Sequence, residues 1–271
     1  MTRIAPRRRV HGFTLVEAIV VIVISGIIFA AVAVFIQKPV QGYFDTTRRA
    51  ELSDIADTAL QRITRDLRLA LPNSVRVSGD YLEFLLTTGG GRYRADPIST
   101  GTGNTLDFNS PSGDSGFDVI GPVPTLAAGN QIVIFNLGAG ISGADAYQSS
   151  GNNRASYASV SGSTITLSAA KLFPWPSPGK RFHVVDTAVT YQCDAAAGVV
   201  RRYWGYGINP TQVAPSGGSN ALIATSVSAC GFTYDPNELN QRYGIVSIRL
   251  ALTQSSETVT VQSQAHVPNI P

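Results

Sequence analysis

Hydrophobicity along this chain changes period twice. From Phe13 to Ile36 it is an unbroken apolar run with one charged side chain, Glu17. At about 1.5 Å per helical residue the run is long enough to cross roughly 30 Å of hydrocarbon. From Leu52 a different pattern begins: Leu52, Ile55, Ala59, Ile63, Leu67 and Ala70 recur by threes and fours. Asp54, Asp57, Arg62, Arg65 and Asp66 fall largely between them. This spacing predicts a helix with one apolar face that needs a sheet to cover it. Pro39 and Gly42, between the two patterns, are expected to kink or loosen the helix, and Pro72 to stop it before a turn at Asn73-Ser74.

Beyond residue 72 the chain is rich in Gly, Ser, Thr and Asn, with short β-type runs. These are Tyr81 to Leu86, Gln131 to Phe135, Thr164 to Leu167, Phe182 to Tyr191, Ile245 to Leu252 and Thr258 to Val261. Thr190 to Asp194 and Gly198 to Tyr203 read as two strands joined by a turn. Gly101 to Pro124 and Gly138 to Asn153 read as surface excursions, and Gly89-Gly90-Gly91 as a flexible turn. The expected fold class is α+β: a long N-terminal helix, apolar then amphipathic, packed on a predominantly antiparallel β head. The expected division is 1–12 leader, 13–38 membrane-spanning helix, 39–72 amphipathic continuation and 73–271 globular head.

The leader carries Arg3, Arg7, Arg8 and Arg9 and no acidic residue, the bias of a cytoplasmic flank. Lys38, Arg48 and Arg49 follow the span, so the asymmetry is modest. Ala31-Val32-Ala33 has the small residues of an ordinary secretory cleavage site. Against that reading stand Glu17, near the start of the run, and the helical pattern that resumes beyond Ala33.

Gly12, Phe13, Thr14, Leu15 and Glu17 after a short basic leader resemble the class III signal of type IV prepilins and type II secretion pseudopilins. The resemblance implies a membrane peptidase that cuts between Gly12 and Phe13 and methylates the new amino terminus. It also implies that Glu17 neutralises the amine of a neighbouring subunit as helices bundle into a filament. Gly26 matches a glycine of that family, whereas Val34 stands where many major pilins have a helix-breaking proline.

Residues 39 to 52 and 65 to 74 narrow the resemblance to a minor, J-pseudopilin-like subunit of MSHA-type pili. The implied role is non-enzymatic: priming assembly or occupying the tip. A type II secretion pseudopilin and a tip adhesin are the alternatives. The implied partners are prepilin peptidase, other minor and major pilins or pseudopilins, the filament assembly platform and the inner membrane. There the chain would be single-pass, with its amino terminus cytoplasmic and its head periplasmic.

Composition changes the picture in two places. Without the leader arginines the chain has 17 basic against 18 acidic residues. The basic character belongs to the leader, so no nucleic-acid partner is expected. In an oxidising periplasm the two cysteines, Cys193 and Cys230, are most simply a disulfide, stabilising by about 4 kcal/mol in the chain-entropy model.

No cofactor or metal is expected. Gly113-Asp114-Ser115-Gly116 echoes a chymotrypsin-type nucleophile loop. That family places its histidine first, and here the only earlier one is His11, in the leader. His183 and His266 both follow, so Ser115 reads as a turn residue. Asp107, Asn109, Asp114 and Asp118 offer calcium-type oxygens, but Pro111 and Ser112 break the loop pattern. Arg201-Arg202-Tyr203-Trp204-Gly205-Tyr206 fits a core-and-surface strand better than a grip on sugars or single strands.

Overall fold

A computed structural model of the chain describes residues 12–98, 101–212, 214–236 and 243–271. Arg3, Arg7, Arg8, Arg9 and His11 of the leader lie outside them. The chain divides into two compact units, Met1–Ala50 and Glu51–Pro271, with the boundary inside a single helix.

That helix, α1, spans Leu15–Arg68 and continues unbroken through Pro39 and Gly42. In the first unit its side chains are almost all exposed, and this stretch is long and apolar enough to cross a membrane. In the second unit Leu52, Ala56, Ala59, Leu60, Ile63 and Leu67 are buried. The helix ends at Arg68, earlier than the stop expected at Pro72. Leu69 and Ala70 close it with tighter bonds to the carbonyls of Asp66 and Leu67. The chain is then captured by a strand: Leu71 N–H donates to Leu85 O at 2.8 Å, and Thr87 N–H to Leu69 O at 2.9 Å. Exchanging helical for sheet bonds here satisfies the backbone groups that the helix end would otherwise orphan.

The described residues form twelve strands: β1 (Arg76–Ser78), β2 (Tyr81–Tyr93), β3 (Asp114–Ile120), β4 (Gln131–Ile134), β5 (Arg154–Ser161), β6 (Thr164–Lys171), β7 (Arg181–Asp194), β8 (Val199–Trp204), β9 (Ser219–Ala224), β10 (Val227–Asp235), β11 (Tyr243–Gln254) and β12 (Glu257–Pro268). All their pairings are antiparallel. The molecule is thus α+β, a long N-terminal helix packed on antiparallel sheets in a pilin-like arrangement.

Two long strands, β2 and β7, organise the head by pairing with each other from Tyr81 to Arg92. At one end they form an open sheet with β1, β8 and β9. At the other end β2, β3, β6, β5, β4 and β7 are hydrogen-bonded in a ring that closes when β7 returns to β2. This six-stranded barrel is filled by Tyr93, Phe117, Ile132, Ile134, Ile165, Phe182 and Val184. Phe117 and Phe182 meet edge to face at 5.3 Å, the favoured geometry of an aromatic pair. Strands β10, β11 and β12 form a separate meander. It shares one core with the open sheet and the buried face of α1.

Several sequence expectations change here. Gly89, Gly90 and Gly91 are not a turn but lie inside β2, beside shifts in its register with β7. A Cβ on Gly90 would sit 2.7 Å from Phe182 O, and one on Gly91 2.9 Å from the Phe182 ring. Only glycine lets β2 approach this closely as the barrel closes. The stretch from Gly101 to Pro124 is not all excursion, because it contains β3, and Asp114 and Ser115 belong to that strand rather than to a turn. Gly138 to Asn153 forms no strand yet folds inward, burying Ala144, Asp145, Ala146 and Tyr147.

Candidate functional site

The start of α1 is built by a local rule. Thr14 precedes the first helical residue, and its backbone oxygen accepts Ala18 N–H at 3.1 Å. Its side-chain Oγ1 accepts Glu17 N–H at 3.3 Å. Thr14-Leu15-Val16-Glu17 is therefore a capping-box sequence, with the carboxylate in the first turn, at the positive end of the helix dipole. Phe13 is 71% exposed, and a Cβ on Gly12 would meet no other atom within 4 Å. The Gly12–Phe13 peptide thus lies just outside the helix, in exposed chain without regular secondary structure.

Glu17 is exposed, and among the described residues no cation pairs with it. Around it Leu15, Val16, Ile19, Val20 and Val21 are all about half exposed or more. This apolar surface carries a lone carboxylate near its end, a costly arrangement in lipid unless a partner charge arrives.

Asp66, also on α1, has a different role. Its carboxylate accepts Arg202 Nε at 2.7 Å and Tyr191 Oη at 2.8 Å, fixing the end of the helix to β8 and β7. The Arg201 to Tyr206 segment is used in the same inward fashion. Arg202 turns to Asp66, and Tyr206 Oη donates to Glu83 Oε2 at 3.2 Å. Periodicity could not reveal Asp66 as an anchor, because its position looks like one more solvated charge.

Cys193 on β7 and Cys230 on β10 are bonded, with their Cα atoms 5.9 Å apart. The disulfide joins the open sheet to the meander. Asp107 and Asp114 accept loop backbone N–H groups. Asp118 accepts Thr164 Oγ1 and Asn104 N–H and faces Arg94, which together hold its carboxyl below the usual range. Among the described residues no three acidic, His or Cys side chains converge as metal ligands.

His183 lies in the barrel wall with Nε2 buried and unpartnered. Burial, helped by the Arg181 charge, pushes its pKa down to about 4. Its ordinary value in an unfolded chain is about 6.5. Folding therefore favours the neutral ring, so this contribution is complete above about pH 6.5 and is lost as pH falls towards 4. The expected loss is about 3 kcal/mol, and a His183→Gln variant should show a flatter stability profile over that window in chemical denaturation.

Set against known proteins, the family described as the prokaryotic N-terminal methylation motif matches residues 7–33. No curated protein and no solved structure matches the chain. The matched stretch holds Gly12, the helix cap and Glu17, and with the long apolar helix it supports a membrane-anchored protein of the type IV pilin and pseudopilin class.

Proposed function

We propose that this chain is a minor type IV pilin of the MSHA kind, similar to the O component of that biogenesis system. It takes part in initiating pilus assembly or in forming the tip, and it is not an enzyme. In this reading residues 1–12 are a leader removed by prepilin peptidase, which cuts between Gly12 and Phe13 and methylates Phe13. Residues 13–38 span the inner membrane with the amino terminus cytoplasmic, 39–72 continue the spine, and 73–271 are the periplasmic head.

The observation that carries this reading is the start of α1. A capped helix presents an exposed junction at Gly12–Phe13 and, at the head of an apolar face, a Glu17 that no cation pairs among the described residues. Cleavage creates the missing cation, the Phe13 amine. Docking that amine onto Glu17 of a neighbour neutralises two costly charges and sets the axial register, because a slipped helix leaves both unpaired.

Mass spectrometry of the mature amino terminus tests this directly. The expected product begins with N-methylated Phe13. A chain beginning at Val34 would show secretory cleavage after Ala33 and overturn the proposal.

A further inference from the structure

The meander ends on an unusual edge. Strand β12 pairs with β11 over its whole length and with no other strand among the described residues. Every second residue of such a strand turns its N–H and C=O away from the sheet, a ready template for another strand. Edges are normally guarded by brevity, by charge or by proline. The edges at β1 and β9 are short, of 3 and 6 residues. By contrast β12 has 12 residues, and from Thr258 to Val267 it contains no Lys, Arg, Asp, Glu or Pro.

A groove of about 700 Å³ runs beside this strand. One wall is β12 at Val261 to Gln264, and the other is α1 and Leu69 just beyond its end, with Leu60 and Leu69 as apolar lining and Asp57, Arg65 and Arg68 as charges. Val259 and Val261 turn towards the core but stay only half buried. Neither Arg65 nor Arg68 pairs with a carboxylate among the described residues. The groove thus offers backbone donors and acceptors, apolar surface and a net positive wall.

We infer that the β12 edge binds an extended acidic segment of another polypeptide, which adds a fourth strand to the meander and sets carboxylates against Arg65 and Arg68. Backbone bonds along the edge supply the alignment, and alternate side chains entering the groove supply the selectivity. Charge argues for a different chain rather than a second copy. A self-paired edge would offer only Glu257 from its own strand, while each copy brings the same two arginines. This docking goes beyond the N-terminal reading and does not depend on processing at Gly12.

The test uses the full chain in detergent micelles and a blocked peptide alternating Val or Thr with Asp, against the same peptide with Lys for Asp. Hydrogen exchange should show alternate β12 amides slowed about tenfold or more by the Asp peptide and unaffected by the Lys peptide. Arg65→Glu with Arg68→Glu, both on the exposed helix face, should weaken the Asp peptide about tenfold or more and admit the Lys peptide. The inference is overturned by β12 amides that do not respond, by equal response to both peptides, or by charge reversal without effect. Protection of β12 that rises with protein concentration alone would make a second copy the occupant and equally overturn it. Failure here would leave an N-methylated Phe13 untouched, so the two proposals fail separately.

Discussion

Glu17→Ala is expected to leave cleavage after Gly12 and methylation of Phe13 intact while lowering recovery of the subunit in filaments about tenfold or more. In the proposed reading the peptidase acts at the exposed Gly12–Phe13 junction, which the substitution does not touch. Assembly into a filament, in that reading, would place the Phe13 amine in apolar surroundings. Without its carboxylate that charge is unpaired, a cost of a few kcal/mol, and about 1.4 kcal/mol already gives a tenfold loss. Because Glu17 also stands in a capping box with Thr14, a weakened helix start is the competing explanation. Glu17→Gln separates the two, since glutamine serves the capping box but carries no charge. If pairing matters, Gln should be nearly as defective as Ala in immunoblots of sheared filaments, with normal amino-terminal masses. Unchanged incorporation of the Ala variant would sink the register argument, and full rescue by Gln would assign the effect to capping.

The legible parts of this chain were those governed by local rules. The apolar run and the stripe from Leu52 to Ala70 announce a helix and its buried face, because a 3.6-residue period is written in consecutive residues. Antiparallel strands were visible wherever β-branched residues cluster, as in β7 and β11. Closure of the barrel was not, since it depends on β7 pairing with β4 and β2 at once. No local signal encodes that. Its trace was the Gly89-Gly90-Gly91 run, whose glycines read as a turn but serve close strand approach. β3 was hidden in a Gly- and Ser-rich stretch, where its four-residue buried segment is too short to stand out. At the candidate site the helix start from Thr14 to Glu17 is legible because its cap is written in consecutive residues, and the proposed processing at Gly12–Phe13 rests on a linear motif in the same way. The anchor Asp66 is not, because Tyr191 and Arg202 lie far along the chain, and neither is the buried Glu83, which Thr190 and Tyr206 reach from equally far.

Glu83 is the centre of the second large effect, expected on replacing its partner: Arg76→Ala should destabilise the head by about 3–5 kcal/mol. The two residues face each other across β1 and β2, with side chains 13% and 2% exposed. Arg76 Nε donates to Glu83 Oε1 at 2.8 Å, and its other nitrogens reach the carbonyls of Asn209 and Pro210, both at 2.8 Å. Its guanidinium also lies 3.7 Å from the centre of the Tyr147 ring. Glu83 Oε2 accepts from Thr190 and Tyr206, each at 3.2 Å. Burial and the Glu83 charge hold the Tyr206 hydroxyl protonated well beyond its usual range, so it stays a donor. Removing Arg76 leaves these two neutral donors to face a buried carboxylate alone and frees the 209–210 backbone. Urea unfolding of the full chain in micelles should show the loss, with faster amide exchange at Gly207 to Asn209 and at Thr211. Adding Glu83→Gln to the Ala variant should recover part of it, because the uncompensated charge is gone. Arg48→Ala is the control: its Asp45 pair is 37% and 46% exposed, and its loss should cost under about 1 kcal/mol. An Arg76→Ala loss no larger than that control would show that the head does not depend on this charge pair.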